Sequence, residues 1–220
     1  TKKDLLPPEW YENTDFNYEL LESNEGGGMD YTIFNVSGNS PQSDFSLTFY
    51  SDDRILFSSG RPEKDRQTYS PSGESYLDIF VGKLNGNGDV QNSNRFTGIP
   101  VSNFHKSTPY FSKDLNEIFY VLSNTADGEL VYDQNGKNAL AIGLAGYNGS
   151  FEYILKDLST SFYYPFYEAK TQRLYFVANF EEGYGGTDIY YVNTNNGQIM
   201  SSPVNLGPRI NSPGNEIAPY

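Results

Sequence analysis

The sequence contains no cysteine, which excludes disulfides and thiolate metal sites and leaves the redox compartment unreadable. It contains one histidine, His105. A Ser-His-Asp site needs a base oriented by a third group, and an imidazole metal cluster needs several ligands. A lone His105, just before Ser107-Thr108-Pro109, therefore reads as a structural or solvated residue. No apolar run approaches the ~20 residues of a membrane-spanning helix. The opening Thr1-Lys2-Lys3-Asp4 lacks the apolar centre of a secretory signal, so the chain reads as cytosolic, or as a processed or internal fragment. Basic residues are few, 15 Lys and Arg against 28 Asp and Glu, for a net charge of −13. A field of that sign repels phosphate backbones and anionic lipid, so no nucleic acid and no membrane surface is expected as a direct partner. Its plain consequence is solubility.

What the chain does have is aromatic bulk and turn residues: 19 Tyr, 15 Phe, 21 Gly and 12 Pro in 220 residues. Aromatic and β-branched side chains suit a pleated, half-buried surface better than a helix interior. Frequent Gly and Pro divide the chain into short segments. The expected class is all-β, and a chain of this length can form a single unit.

Self-similarity organises those segments. Leu47-Thr48-Phe49-Tyr50, Pro109-Tyr110-Phe111-Ser112 and Pro165-Phe166-Tyr167-Glu168 open comparable units at intervals of roughly 55 to 60 residues, and Pro219-Tyr220 opens another. Each opening leads through a polar turn to a second apolar strand, at 55–58, 118–122 and 174–178. A variable loop follows, then a third strand at 77–81, 140–144 and 188–192. In that third strand Asp188 matches Asp78, and Leu140 is expected at the same place in the second unit. Gly/Asn turns at 85–88, 147–149 and 195–197 then signal hairpins, because such turns require positive φ. A looser fourth strand closes each unit. Four strands per unit at this period match a β-propeller of four-stranded blades: three complete repeats, about 44–103, 104–160 and 161–214, and the start of a fourth at 215. A single blade leaves its apolar faces bare, and packing between two neighbours covers both. Residues 1–30 read as an acidic linker whose Trp10, Tyr11, Phe16 and Tyr18 pack on a neighbouring surface. Residues 31–36 alternate as a strand and are expected to close the ring as the outer strand of the last blade.

No enzymatic constellation is legible. Asp52, Asp53 and Asp114 sit in turns without the regular spacing of a calcium loop, and Asp commonly stabilises turns by itself. Asp78 and Asp188 recur at one repeat position, which favours a scaffold role in which each carboxylate accepts N–H groups from a neighbouring turn. Gly183 to Gly186 lack the following helix and lysine of a phosphate cradle. The expectation is a non-enzyme with no cofactor and no metal.

The loops between second and third strands, 61–75, 124–138 and 179–187, differ in length and open on one face of the repeat. Variable loops on a repeated scaffold are where binding usually resides. The candidate partner-binding residues are Arg61, Lys64, Arg66, Tyr69, Asp127, Tyr132, Glu181, Glu182 and Tyr184, with one interface-type tyrosine per loop.

The Pro-Tyr-Phe-Ser opening at 109–112, the Gly-Gly-Thr-Asp-Ile-Tyr run at 185–190 and the Pro/Asn-rich stretch 202–216 resemble the PD40, or WD40-like, repeats related to the TolB propeller. The last of these is similar to inter-blade connections in envelope proteins where the propeller precedes an OmpA-like domain. That resemblance implies a periplasmic location at the outer membrane or cell envelope. The implied partners are other envelope or secretion-system proteins, with the type IX system as one subgroup, and peptidoglycan only through a domain not in this chain. It implies an interaction scaffold. The alternatives are a glycan-binding propeller using its tyrosines as stacking platforms, or a propeller attached to a hydrolase domain elsewhere.

Overall fold

The computed structural model describes residues 35–64 and 67–220. The linker at 1–30 and most of the strand expected at 31–36 lie outside the described residues, and Val36 is not in a strand. Among the described residues the chain is all-β, without helix.

The first sheet contains β1 (Asp44–Ser51) and β2 (Arg54–Ser59). A hairpin of β3 (Thr68–Tyr69) and β4 (Glu74–Ser75) interrupts the long connection, and β5 (Asp78–Leu84) and β6 (Val90–Arg95) complete the sheet in the order β1-β2-β5-β6. The second sheet repeats this with β7 (Lys106–Ser112), β8 (Glu117–Ser123), a hairpin of β9 (Thr125–Ala126) and β10 (Glu129–Leu130), then β11 (Leu140–Gly146) and β12 (Phe151–Leu155). The third consists of β13 (Phe162–Glu168), β14 (Arg173–Ala178) and β15 (Asp188–Asn195), with β16 (Gln198–Ile199) and β17 (Val204–Asn205) both paired to β15. Main pairings within all three sheets are antiparallel, and no sheet closes on itself.

The turns explain the hairpins. Asn196 and Gly197 both have positive φ, 49° and 84°, the conformation that lets a two-residue turn follow the strand twist. Each first strand also carries a bulge, between Phe45 and Thr48, Ser107 and Tyr110, and Tyr163 and Phe166. Ser46, Thr108 and Tyr164 hold positive φ there, and Ala218 does so again. Pro109 and Pro165 follow directly, and a bulge tolerates a residue with no N–H.

Register from these bulges fixes which residues are equivalent. The β7–β8 and β13–β14 turns match, Ser112 pairing Glu117 and Glu168 pairing Arg173. Counting onward, Leu122 corresponds to Ala178; Leu122 pairs Ala141 and Ala178 pairs Asp188. The residue equivalent to Asp188 is thus Ala141. The expected Leu140 is one position off, because the variable loop before β11 hides the register.

The core lies between sheets. Leu56 and Ile79 of the first meet Ile118, Tyr120, Leu122 and Ala141 of the second, with Phe96 and Ile99 from the connection. Phe119, Val121, Ile142 and Leu144 meet Leu174, Phe176, Tyr190 and Val192 of the third. The middle sheet is buried on both faces, which is why residues 118–122 are an unbroken apolar run rather than an alternation. Full burial of such side chains contributes about 1.5–3 kcal/mol each. Polar bonds fasten the sheets too: the Thr108 N–H donates to Ser58 Oγ at 2.7 Å, and the Lys106 N–H to the Leu77 carbonyl at 2.9 Å. The Glu216 N–H reaches the Thr187 carbonyl, also at 2.9 Å.

Candidate partner-docking face

Antiparallel order puts the short turns at one end of the sheets. The long β2–β5, β8–β11 and β14–β15 connections lie at the other, with the connections between sheets. At this loop end a groove of about 460 Å³ opens between the second sheet and the connection that leads into it from the first. One wall is the connection bearing Pro100, Val101 and Phe104; the other is Tyr120 and Leu122 of β8, Phe151 and Tyr153 of β12, and the β9–β10 hairpin tip at Asp127 and Gly128.

The groove is firmly built. Lys106, 2 % exposed, lines it, its Nζ 2.9 Å from Asp78 Oδ1 and donating to the Pro100 carbonyl at 3.1 Å. Arg95 Nε approaches Asp78 Oδ2 at 2.7 Å, and the Ile79 N–H donates to Asp78 Oδ1 at 2.8 Å. A buried charge persists only when paired and hydrogen-bonded, and this pairing clamps the start of β7 to the start of β5. Opposite, the Tyr153 hydroxyl shares a 2.8 Å bond with Thr125 Oγ1. Lys156 Nζ sits 4.1 Å from the Tyr153 ring centre and donates to the Thr125 carbonyl at 2.8 Å. Burial, and the nearby Tyr153 and Asp78, raise the pKa of the Tyr120 phenol.

Beside Phe104 lies an aromatic cluster. The Tyr76 ring is 5.7 Å from Phe104, and His105 lies 4.6 Å from Tyr69 and 4.7 Å from Tyr76. His105 Nδ1 accepts the Leu77 N–H at 3.1 Å, so that nitrogen carries no proton and the ring N–H is at Nε2. His105 is thereby part of the joint between sheets.

Those of the nine residues named from sequence that the structure describes scatter. Of these, Asp127 lines the groove. Arg61 is not presented outward: its guanidinium donates to Asp44 Oδ1 at 2.9 Å and to the Gly38 carbonyl at 3.0 Å, and lies 5.3 and 5.1 Å from the Phe57 and Phe80 rings. It belongs to the first sheet's framework. Burial alone would raise the Asp44 carboxyl, but hydrogen bonds from Ser59, Ser40 and Arg61 outweigh it and hold the pKa below the usual value. Tyr69 is likewise spent on His105 and Tyr76. Lys64, Glu181 and Glu182 are exposed, as are Tyr132 and Tyr184, at 54 % and 50 %. Arg66 lies outside the described residues. Sequence reasoning passed over Val101, Phe104, Lys106 and Tyr153. Val101, 81 % exposed, gave no local signal, because the same connection also carries Phe96, Ile99 and Phe104.

Asp188 accepts the Tyr184 N–H at 2.6 Å and Asn205 Nδ2 at 3.0 Å through one oxygen. A side chain at Gly183 would fall 2.6 Å from that oxygen. This is turn-fixing geometry. Among the described residues no three His, Asp or Glu side chains gather as a metal site. No family model matches the chain, and no curated protein matches it.

Proposed function

We propose that the three sheets are consecutive blades of a β-propeller, with a fourth begun at 215–220, and that the chain is a non-enzymatic protein-docking scaffold. Support for the propeller is the repeated packing of one face of each sheet on the opposite face of the next, in the same register. Support for docking is the groove between the second sheet and the connection leading into it, which is preformed, aromatic, rimmed by exposed Val101 and Asp127, and flanked by long connections. Aromatic anchors in a rigid cleft with a polar rim are the anatomy of protein-recognition sites. The resemblance of its repeats is what supports reading this scaffold as a bacterial envelope component with secretion-system proteins as partners.

The test is selection of a displayed peptide library on the folded chain, with the bound site mapped by hydrogen exchange. Protection is expected at residues 100–104 and 125–128, and Val101→Asp or Tyr153→Ser abolishes it. Selected peptides that protect neither segment would overturn the reading.

A further inference from the structure

A second cleft, of about 710 Å³, opens at the opposite end, where the short turns of the first two sheets meet. Its walls are Phe49 and Tyr50 of β1, the Asp52-Asp53 turn, Phe111, Lys113 and Asn116 of the second sheet, and Tyr147. Phe49 and Tyr147 are each 64 % exposed. The Tyr50 and Tyr147 rings lie within 7° of parallel with centroids 6.1 Å apart, their hydroxyls in contact. They come from different sheets and form one aromatic platform.

The platform is held in place before any ligand arrives. Tyr50 is wedged edge-on against Phe96 at 5.3 Å and Phe111 at 5.0 Å. Tyr147 stands on a tight turn closed by the Gly146 N–H to the Ser150 carbonyl and the Gly149 N–H to the Gly146 carbonyl, both 3.0 Å. Lining the cleft are the exposed carboxylates of Asp52 and Asp53, the Asn116 amide and the Lys113 ammonium, with Lys83 beside Asp53 and Arg54 beside Tyr50. Lys83 meets Asp53 only loosely, at 3.6 Å, with both side chains more than half exposed.

We infer that this turn-end cleft is a binding site for a neutral oligosaccharide. A pyranose presents a C–H face that packs on an aromatic ring and a rim of vicinal hydroxyls. Those hydroxyls donate to carboxylates, which are acceptor-only when ionised, and both donate to and accept from an amide. Tyrosine supplies the apolar face together with a polar tip. The acidic turn and the chain's negative charge disfavour polyanionic glycans. This use of tyrosines is distinct from the loop end, where Tyr69 is packed away, and it does not rest on the docking groove.

The test is calorimetric titration of the full chain with cellohexaose, maltohexaose and chitohexaose, with a polygalacturonate oligomer as the anionic control. At least one neutral probe is expected to bind and the anionic one not. Tyr147→Ala and Asp52→Asn, both at exposed positions, should each weaken binding more than about tenfold, a loss of over about 1.4 kcal/mol. The melting midpoint should fall by no more than about 4 °C, with a native-like fold at the titration temperature, and Tyr153→Ser in the groove should leave binding intact. The assignment is overturned if no neutral probe binds, or if binding survives both turn-end substitutions. It is also overturned if a basic proline-rich peptide, and no sugar, occupies the cleft in a Tyr147-dependent manner.

Discussion

The rings of Tyr110 and Phe166 meet edge to face with centroids 5.2 Å apart, and they hold the same position in consecutive sheets. Tyr220 continues the series, 5.8 Å beyond Phe166. The Tyr110 hydroxyl also donates to the Tyr167 carbonyl at 2.8 Å, so the contact joins sheets through both rings and backbone. Aromatic pairs add about 0.5–1.5 kcal/mol beyond their buried area. Phe166→Leu, which removes ring contacts with Tyr110, Tyr175 and Tyr220, should cost about 1–3 kcal/mol in urea unfolding. Tyr220→Ala, at a fully exposed ring, should cost less than about 0.5 kcal/mol. Equal losses would mean that the ring series does not transmit stability between sheets.

The Asp78 cluster gives a sharper contrast. Breaking a buried ion pair from one side strands the other charge and costs about 3–5 kcal/mol, while replacing both partners with apolar groups is often neutral. Asp78→Ala should therefore be severely destabilising, and Asp78→Leu with Lys106→Met should recover most of the loss, because Arg95, more exposed than either, can reach water. Denaturation midpoints of the single and double variants decide it. A double variant as unstable as Asp78→Ala would show that the clamp depends on its charges and not on filled space.

Such a lysine also marks where the sequence stopped being readable. Turns and hairpins were legible because their chemistry is local: Asn196-Gly197 announces itself in two residues. The unbroken apolar run 118–122 likewise declares a strand covered on both faces. Lys106 reads as a surface residue, since its burial depends on Asp78, distant in sequence and brought near by sheet packing. Arg61 misled in the same way. It stands in a variable loop, yet Asp44 and two phenylalanine rings draw it inward. Ala141 was missed for Leu140 because loop length, unlike strand period, carries no register. Both clefts are walled by segments distant in sequence, and no single segment contains either.

Asp44 makes acid stability depend on one carboxylate. Its folded pKa lies below the ordinary value, so its contribution is complete above the unfolded pKa, near 3.8, and is lost as pH falls through the lowered value. Asp44→Asn should cost about 1–3 kcal/mol at neutral pH, where Arg61 loses its charged acceptor. The variant should also show a flatter fall in melting temperature below about pH 4 than the parent. Parallel acid limbs for the two proteins would exclude the carboxylate as the source.

Alkaline unfolding has the opposite sign. Burial raises the folded pKa of Tyr120, assisted by Tyr153 and Asp78, and burial together with Tyr147 raises that of Tyr50. Stability from these phenols is complete below the unfolded value of about 10 and is lost as pH rises through the higher folded values. The last fraction of tyrosinate absorbance should appear together with loss of far-ultraviolet dichroism. Tyr120→Phe should move that coupled transition to higher pH. A transition that stays in place would assign it elsewhere.

The third sheet's glycine pair tests how the chain beyond it is fastened. A side chain at Gly185 would collide with the Ser212 and Gly214 carbonyl oxygens and come within 2.9 Å of the Pro213 carbonyl carbon. These are backbone atoms, which cannot rotate aside. The neighbouring Gly186 N–H donates to the Gly214 carbonyl at 2.8 Å, and the Glu216 N–H reaches Thr187 only while that turn stays seated. Gly185→Ala should therefore lift the 212–216 turn off the sheet without opening the sheet itself. Amide exchange at Glu216 should accelerate by at least about tenfold, while exchange in β14, whose Leu174 and Phe176 are fully buried, stays unchanged, as expected of local opening. Acceleration in both places would mean that the turn and the sheet unfold as one unit. Acceleration in neither would mean that the close backbone approach does not hold the turn.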